Sequence, residues 1–521
     1  MVHKTLRAAL CCLTVSTLFL ISSRPASAAG NINNVNHIIV VMQENHSFDN
    51  YFGALPYAPA SPYHNGNGAC VKNDHACVDG LTCTPSGLGG LTCSNSNVDE
   101  NGRTVFAFHD TRRCVAPDLD HSWLFTHFEL NFLAPNKGFK GLNDGFVRVN
   151  RLTEGQIENQ TMNFYNQDEI PFYYDLAQKF AIGDRYFSSV LGPTFPNRSF
   201  LLAATSFGHL TTNDTFPPPG GYKPITGTIL DLLDANGVSW ADYFQDAPQA
   251  ATFRVFNPPS GPFDAHLLPL PVFFSQVATG TLPQVAFVDP NFGLTGIAHE
   301  NDEHPPTDIQ RGQAFVSQVV NAVRNSPIWK DSLILLMYDE HGGFYDHVRP
   351  PHAMQGGALN PDGINPGQCA DLSNPPASMQ PGGGAECAAN PLSPDGSDTS
   401  VKDAELLCPA LALDPTGPYP TQCANFNQLG IRVPFVAISP FSKPHYVSHM
   451  NFDHTSVLAF IEKRFLSTGG TPLHLTARDE HAIAMLDLFD FKNSPSLNTP
   501  VTQAAPPTTD CTPTTGGTGL P

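Results

Sequence analysis

Four short apolar runs, each cut off by a polar or turn-forming cluster, constrain this chain more than any other feature. They are His37 to Met42, Gln284 to Val288, Leu333 to Tyr338 and Val433 to Ile438. Short runs rich in Val, Ile and Leu read as strands buried on both faces. Amphipathic stretches lie between them. Pro171 to Phe180 opens with a proline suited to a first helical turn. Thr307 to Asn325 carries Ile309, Phe315, Val316, Val319, Val320 and Val323 at helical intervals. His454 to Phe465 reads as a further helix, capped by Asp453. Strands alternating with helices of this length predict an α/β fold, a mostly parallel sheet with helices on both faces.

Two segments interrupt the alternation. Residues 54–114 and 352–428 carry cysteines and little periodicity, and read as inserted loops within a single domain over 29–492. The tail over 493–521, rich in Thr, Pro and Gly, reads as a flexible end. At the other end Lys4 and Arg7 precede an apolar stretch, Ala8 to Ile21, and the small-residue site Ala26-Ser27-Ala28. Residues 1–28 therefore read as a signal peptide cleaved after Ala28. The apolar stretch falls short of the roughly 18–20 residues that span a bilayer. The expectation is an exported protein, secreted or periplasmic, with no transmembrane anchor and at most transient contact with a membrane surface.

Removal of the signal leaves ten of the twelve cysteines. An even number in Gly-, Asn- and Pro-rich segments reads as disulfides formed in an oxidising compartment. No C-x2-C pair occurs that would suit structural zinc. The 47 acidic residues outweigh the 27 basic ones, a formal charge of −20. Nucleic acid is excluded as a partner, because phosphate backbones demand concentrated Lys and Arg. Recruitment to anionic lipid by a polybasic patch is excluded on the same ground. A phosphate or lipid substrate held at a local site is not.

The chemistry lies where the apolar runs end. The first passes into Glu44-Asn45-His46-Ser47-Phe48-Asp49 and the third into Asp339-Glu340-His341-Gly342-Gly343. The second ends in Asp289, followed by His299-Glu300-Asn301-Asp302-Glu303-His304. Ligands of open α/β sheets bind beyond the carboxyl ends of the strands. Glu44, Asn45, Asp339 and Glu340 are thus expected to converge, and three carboxylates with an amide oxygen suit one hard divalent cation. Ca, Mg, Mn and Zn all stay open. Thr194 sits between prolines at the head of a helix-like run, where backbone N–H groups favour an anion. Histidines 121, 304, 341, 347 and 454 lie beside acidic residues, as acid–base or phosphate-binding groups do.

Taken in order, these segments resemble the bacterial phospholipase C and acid phosphatase family, which plant non-specific phospholipases C share. The blocks are Glu44 to Gly53, Thr194-Phe195-Pro196-Asn197-Arg198, Asp302-Glu303-His304-Pro305-Pro306, Asp339 to Val348, Arg432-Val433-Pro434 and Asp453-His454-Thr455-Ser456. The resemblance implies an alkaline-phosphatase-like sandwich and hydrolysis through a phosphorylated threonine. It implies Thr194 as nucleophile, with Glu44, Asn45, Asp339 and Glu340 as metal ligands and the Thr194 oxygen near the metal. His304, His454 and His121 would contact the phosphate or leaving group, and His341 would assist catalysis. A phospholipid or other phosphoester is the implied substrate. Phospholipase C action is the first expectation and phosphomonoester hydrolysis, as in an acid phosphatase, the alternative. A sulfatase fits less well, because Thr194 cannot be oxidised to the formylglycine that a Cys or Ser yields. A catalytically dead binding protein fits least, because every expected ligand is present.

Overall fold

The computed structural model describes residues 31–509 and Cys511, apart from residues 67, 87–89, 115–117, 131–142, 153–158, 210–211, 213–221, 223, 225, 254–263, 295, 297–298, 354–425 and 469. The expected signal peptide, most of the 352–428 insertion and its four cysteines lie outside the described residues.

Eight strands form the central sheet: β1 (His37–Gln43), β2 (Ala181–Gly183), β3 (Trp240–Phe244), β4 (Leu267–Pro269), β5 (Val285–Val288), β6 (Ser332–Tyr338), β7 (Phe435–Ile438) and β8 (Val447–Ser448). Their order across the sheet is β4-β3-β5-β1-β6-β7-β2-β8, and only β7 runs against its neighbours. The four apolar runs became β1, β5, β6 and β7. The last starts at Phe435, after Pro434, whose missing N–H cannot join a ladder. The other four strands are short or carry polar residues, such as Asp242 within β3, and have no apolar run to betray them.

The helices used below are α1 (Phe48–Phe52), α2 (Trp123–Glu129), α3 (Pro171–Lys179), α4 (Thr194–Ala203), α5 (Leu270–Thr279), α6 (Ile309–Arg324) and α7 (His454–Phe465). Asp308 caps α6 by accepting from the Gln310 N–H, and Asp453 forms a capping box with Ser456 at the head of α7. Strands β5, β6 and β7 are buried along their whole length, and β1 at all but its first residue, so the sheet must be covered on both faces. Helix α4 packs on α7, while α6 packs on α3 and α5. The α/β fold with a mostly parallel sheet is as expected.

The 54–114 segment holds short two-stranded ladders and the disulfides Cys70–Cys77 and Cys83–Cys93. Part of the tail departs from expectation, while residue 510 and residues 512–521 lie outside the described residues. Instead of lying free, residues 497–509 run along α6 and neighbouring groups. The Leu497 and Thr499 carbonyls accept from the Trp329 indole and from Arg324. Thr502 accepts from Asn321 and donates its N–H to Asp175, and the Ala504 N–H reaches Ser317. A third disulfide, Cys114–Cys511, pins the end. Backbone donors and acceptors spaced along a helix ridge hold this stretch where composition promises no order. Among the described residues, no helix is long and apolar enough to cross a membrane.

Candidate active site

Strands β1 and β6 pair in parallel from His37 opposite Ser332 to Gln43 opposite Tyr338. Glu44 and Asn45 therefore leave the sheet beside Asp339 and Glu340. Asn45 turns the chain with φ 64°, a left-handed conformation that Asn tolerates. Its N–H donates to Asp339 Oδ1 at 3.2 Å, and the Glu340 N–H donates to the same oxygen at 2.7 Å. Gly342 lies against the Asn45 backbone, where any Cβ would overlap the carbonyl, and its own φ is 60°.

Helix α4 brings the hydroxyl and a cation to the same place. Thr194 is its first residue and Arg198 follows one turn later on the same face. Arg198 Nη2 lies 2.9 Å from Glu44 Oε1, and its Nε 3.3 Å from Asp339 Oδ2. Asn197 fixes the approach. Its Oδ1 accepts from the Ser189 and Val190 N–H groups, and its Nδ2 donates to the Gly192 and Pro193 carbonyls. The loop before Thr194 is thereby set by a side chain within the helix that follows it.

Arg198 is shared between two carboxylates. Burial pushes the Glu44 carboxyl up against the pull of Arg198, and nearby Glu340 adds to the rise. Burial also carries Asp339 up, to about 8, with help from Glu44 and Glu340 and against Arg198. Glu340 goes the other way: burial would raise it, but His121 and His341 hold it below its ordinary value. Thr194 Oγ1, Asn45 Oδ1 and Glu340 Oε1 are buried without a hydrogen-bond partner. Crowded carboxylates and orphaned oxygens suit a hard divalent cation, so the residues present fit the expected metal.

The histidines divide. His304 is buried; its Nδ1 donates to the Pro305 carbonyl at 2.6 Å, and its Nε2, without a hydrogen-bond partner, lies 3.8 Å from Asp118 Oδ2. His121 donates Nδ1 to the Leu119 carbonyl at 2.6 Å, and its Nε2 lies 3.7 Å from Glu340 Oε1. Burial would lower the His121 pKa, but Glu340 and Asp118 carry it up to about 10. One nitrogen of each ring and an oxygen of Asp118 lie within 4.8 Å of one another.

His454 and His341 are placed differently from expectation. The His454 ring meets the Tyr186 hydroxyl at Nδ1 and the Asp339 carbonyl at Nε2, 3.1 and 2.7 Å away. Burial drives it down to about 4, so the ring is neutral and both nitrogens are spent on protein groups. His341 is wedged between Glu129 Oε2 at 2.7 Å and Glu340 Oε2 at 3.2 Å. Burial would lower it, but both carboxylates carry it up to about 9. Neither imidazole has a nitrogen left for a phosphate or a leaving group. His454 holds the Asp339 backbone and His341 holds the Glu340 side chain.

Several of these partners escaped the sequence reading. Glu129 sits in an amphipathic helix with nothing local to mark it, and Tyr186 looks like any core aromatic. Asn197 lies inside the Thr194 block, but only the fold shows its amide bridging the loop.

The family model described as "Phosphoesterase family" matches residues 35–466. "Non-specific phospholipase C6" of Arabidopsis thaliana is 29% identical over 477 residues, covering 90% of this chain and 74% of its own. "Phospholipase C B" of Mycobacterium tuberculosis (strain ATCC 25618 / H37Rv) is 27% identical over 531 residues, covering 93% and 84%. Among solved structures, the lipoteichoic acid synthase LtaP from Listeria monocytogenes aligns with a TM-score of 0.29 at 10% identity over 60% of this chain and 70% of that one. A likeness that slight carries no weight here.

Proposed function

The chain belongs to the phosphoesterase family and is a hydrolase of phosphoester bonds; we propose that it is an exported, metal-dependent phospholipase C that works through a phospho-threonine at Thr194. The observation that carries this reading is the meeting of one face of α4 with two strand ends: Thr194 one turn from Arg198, and Arg198 bridging Glu44 and Asp339. The disulfides among the described residues support export. The phospholipases C among the relatives support a phospholipid substrate.

The metal site consists of Glu44, Asn45, Asp339 and Glu340, with the Thr194 hydroxyl beside it. A divalent cation bound there supplies the positive charge that makes a threonine hydroxyl ionisable and neutralises the phosphate. Thr194 attacks phosphorus as the alkoxide, its proton having passed to water. Arg198 Nη1, buried and without a partner, donates to an equatorial phosphate oxygen. His304 gives its Nε2 proton to the departing glycerol oxygen as the P–O bond breaks. The neutral ring then takes a proton from the water that attacks phospho-threonine. Thr194 leaves as the alkoxide and the headgroup phosphate is released. His121, charged beside Glu340 and Asp118, adds positive charge on the leaving-group side.

The test is hydrolysis of phosphatidylcholine and p-nitrophenyl phosphate, side by side, with and without chelator. Diacylglycerol and phosphocholine should appear only without chelator, and Thr194→Ala should fold normally and release neither. Cleavage of the monoester alone would replace the phospholipase reading with an acid phosphatase. Normal turnover by Thr194→Ala would remove the covalent step.

A further inference from the structure

Behind the site lies a set of buried side chains that the reaction above does not use. Glu303 is wholly buried and takes a left-handed backbone, φ 79°. A residue of this size rarely adopts that conformation unless its surroundings over-determine it. Here they do. Oε2 of Glu303 accepts from the Tyr51 and Tyr338 hydroxyls, each at 2.6 Å. Its Oε1 accepts from the Tyr173 hydroxyl and from Gln43 Nε2 at 3.4 Å. These donors approach the acceptor capacity of a carboxylate. They come from separate elements: Tyr51 from α1, Tyr173 from α3, Gln43 from the end of β1 and Tyr338 from the end of β6.

The turn that Glu303 occupies joins both halves of the site. The Asp302 carbonyl accepts from the Glu44 N–H at 2.8 Å, and the Asn301 carbonyl accepts from Gln43 Nε2 at 3.0 Å. On the other side, the His304 N–H donates to Asp302 Oδ1 at 2.9 Å. His46 Nε2 lies 3.1 Å from the Glu303 carbonyl, and its ring stacks on Tyr51 at 4.2 Å. Residues 301–304 are thus a hydrogen-bonded link between the exit of β1, which bears Glu44, and the His304 imidazole.

We propose that Glu303 is a positioning residue for the reaction: gripped by Tyr51, Tyr173 and Tyr338, it locks the 301–304 turn, which is bonded to the exit of β1 at Glu44, and so sets the His304 ring beside His121 and Asp118. An apolar side chain could fill the space but could not fix the direction of the turn, because only hydrogen bonds from several sides do that. The inference rests on the roles given above to Thr194 and His304.

Two variants test it in the full chain: Glu303→Gln, and Tyr51→Phe combined with Tyr173→Phe, which removes two donors and keeps both rings. Each is read by steady-state kinetics, by thermal melting and by the ¹⁵N signals of the His304 ring, assigned with His304→Gln. Both variants should fold, lose about tenfold to a hundredfold in kcat with KM within about twofold, and shift the His304 signals. A lower Tm with unchanged kcat and unmoved His304 signals would reduce Glu303 to a purely structural residue and overturn the proposal. If the wild type cleaves neither substrate, the phospholipase reading fails by itself. The ring signals then decide alone: a shift supports the lock and a fixed position refutes it.

Discussion

Arg432 is wholly buried, yet every direction of its guanidinium is answered by oxygen. It donates to Asp346 Oδ1 at 2.9 Å, to Asp49 Oδ1 at 3.1 Å and to the Asp79 and Asp184 carbonyls at 2.8 Å, with the Phe48 ring 4.5 Å away. His347 closes the cluster, with Nδ1 2.7 Å from Asp49 Oδ2 and Nε2 3.2 Å from Asp79 Oδ1. Burial would lower the His347 pKa, but Asp49 and Asp79 carry it up to about 10. Burial would raise Asp79, but His347 and Arg432 bring it down to about 2. The signs follow from linkage. The raised histidine stabilises fully below its unfolded value of about 6.5 and loses that contribution as pH climbs towards 10. The depressed aspartate stabilises fully above about 3.8 and loses its share as pH falls towards 2. The Tm deficit of His347→Gln should therefore be largest between about pH 4 and 6.5 and shrink on the alkaline side. A deficit flat from pH 6.5 to 10 would mean that the ring is not charged. In the sequence, Asp49, His347 and Arg432 all sit in site-like motifs, and nothing local separates a brace from a ligand. The distinction appears only where each side chain is seen to meet an ion pair or an orphaned oxygen.

Helix α6 carries a glycine, Gly312, in its interior, where alanine would be the better helix former by about 1 kcal/mol. The cost is explained by what lies opposite: a Cβ at Gly312 would overlap the Glu303 side chain. Gly312→Ala should therefore destabilise, by about 1–3 kcal/mol through overpacking, despite its gain in propensity. Chemical denaturation would show it, and a variant more stable than the wild type would contradict the close approach. The periodicity of α6 was plain from its apolar stripe, as were the bounds of α3 and α7. The reason for a glycine on that stripe was not, because it depends on a residue from another segment. The same holds for the site. The convergence of Glu44, Asn45, Asp339 and Glu340 was legible because strand ends in a parallel sheet share one edge. Glu129, Asn197 and the tyrosines around Glu303 were not, because helices and loops bring them in from no fixed register.

On the scale of the whole molecule, residues 497–509 of the tail are part of the fold. Their carbonyls and N–H groups meet Arg324, Asn321 and Ser317, successive members of one ridge of α6. Cys114–Cys511 then ties residues 397 apart. Constraining so long a loop in the unfolded chain stabilises by up to about 5 kcal/mol. Cys511→Ser should lower Tm in the absence of reductant, and the gap to the wild type should narrow once both are reduced. Equal melting under oxidising conditions would show that the Cys114–Cys511 crosslink adds nothing. A chain synthesised from its N-terminus exposes Cys114 well before Cys511 exists, by roughly 20 to 80 s at ordinary elongation rates. Through that interval Cys114 lacks its mate while Cys369, Cys387, Cys408 and Cys423 emerge as well, and before it stand Cys70, Cys77, Cys83 and Cys93. Those four have partners only 7 and 10 residues away and can be withdrawn from exchange almost as they emerge. The three rings close over 7, 10 and 397 residues, so loop-closure entropy favours the two short pairings over the long one.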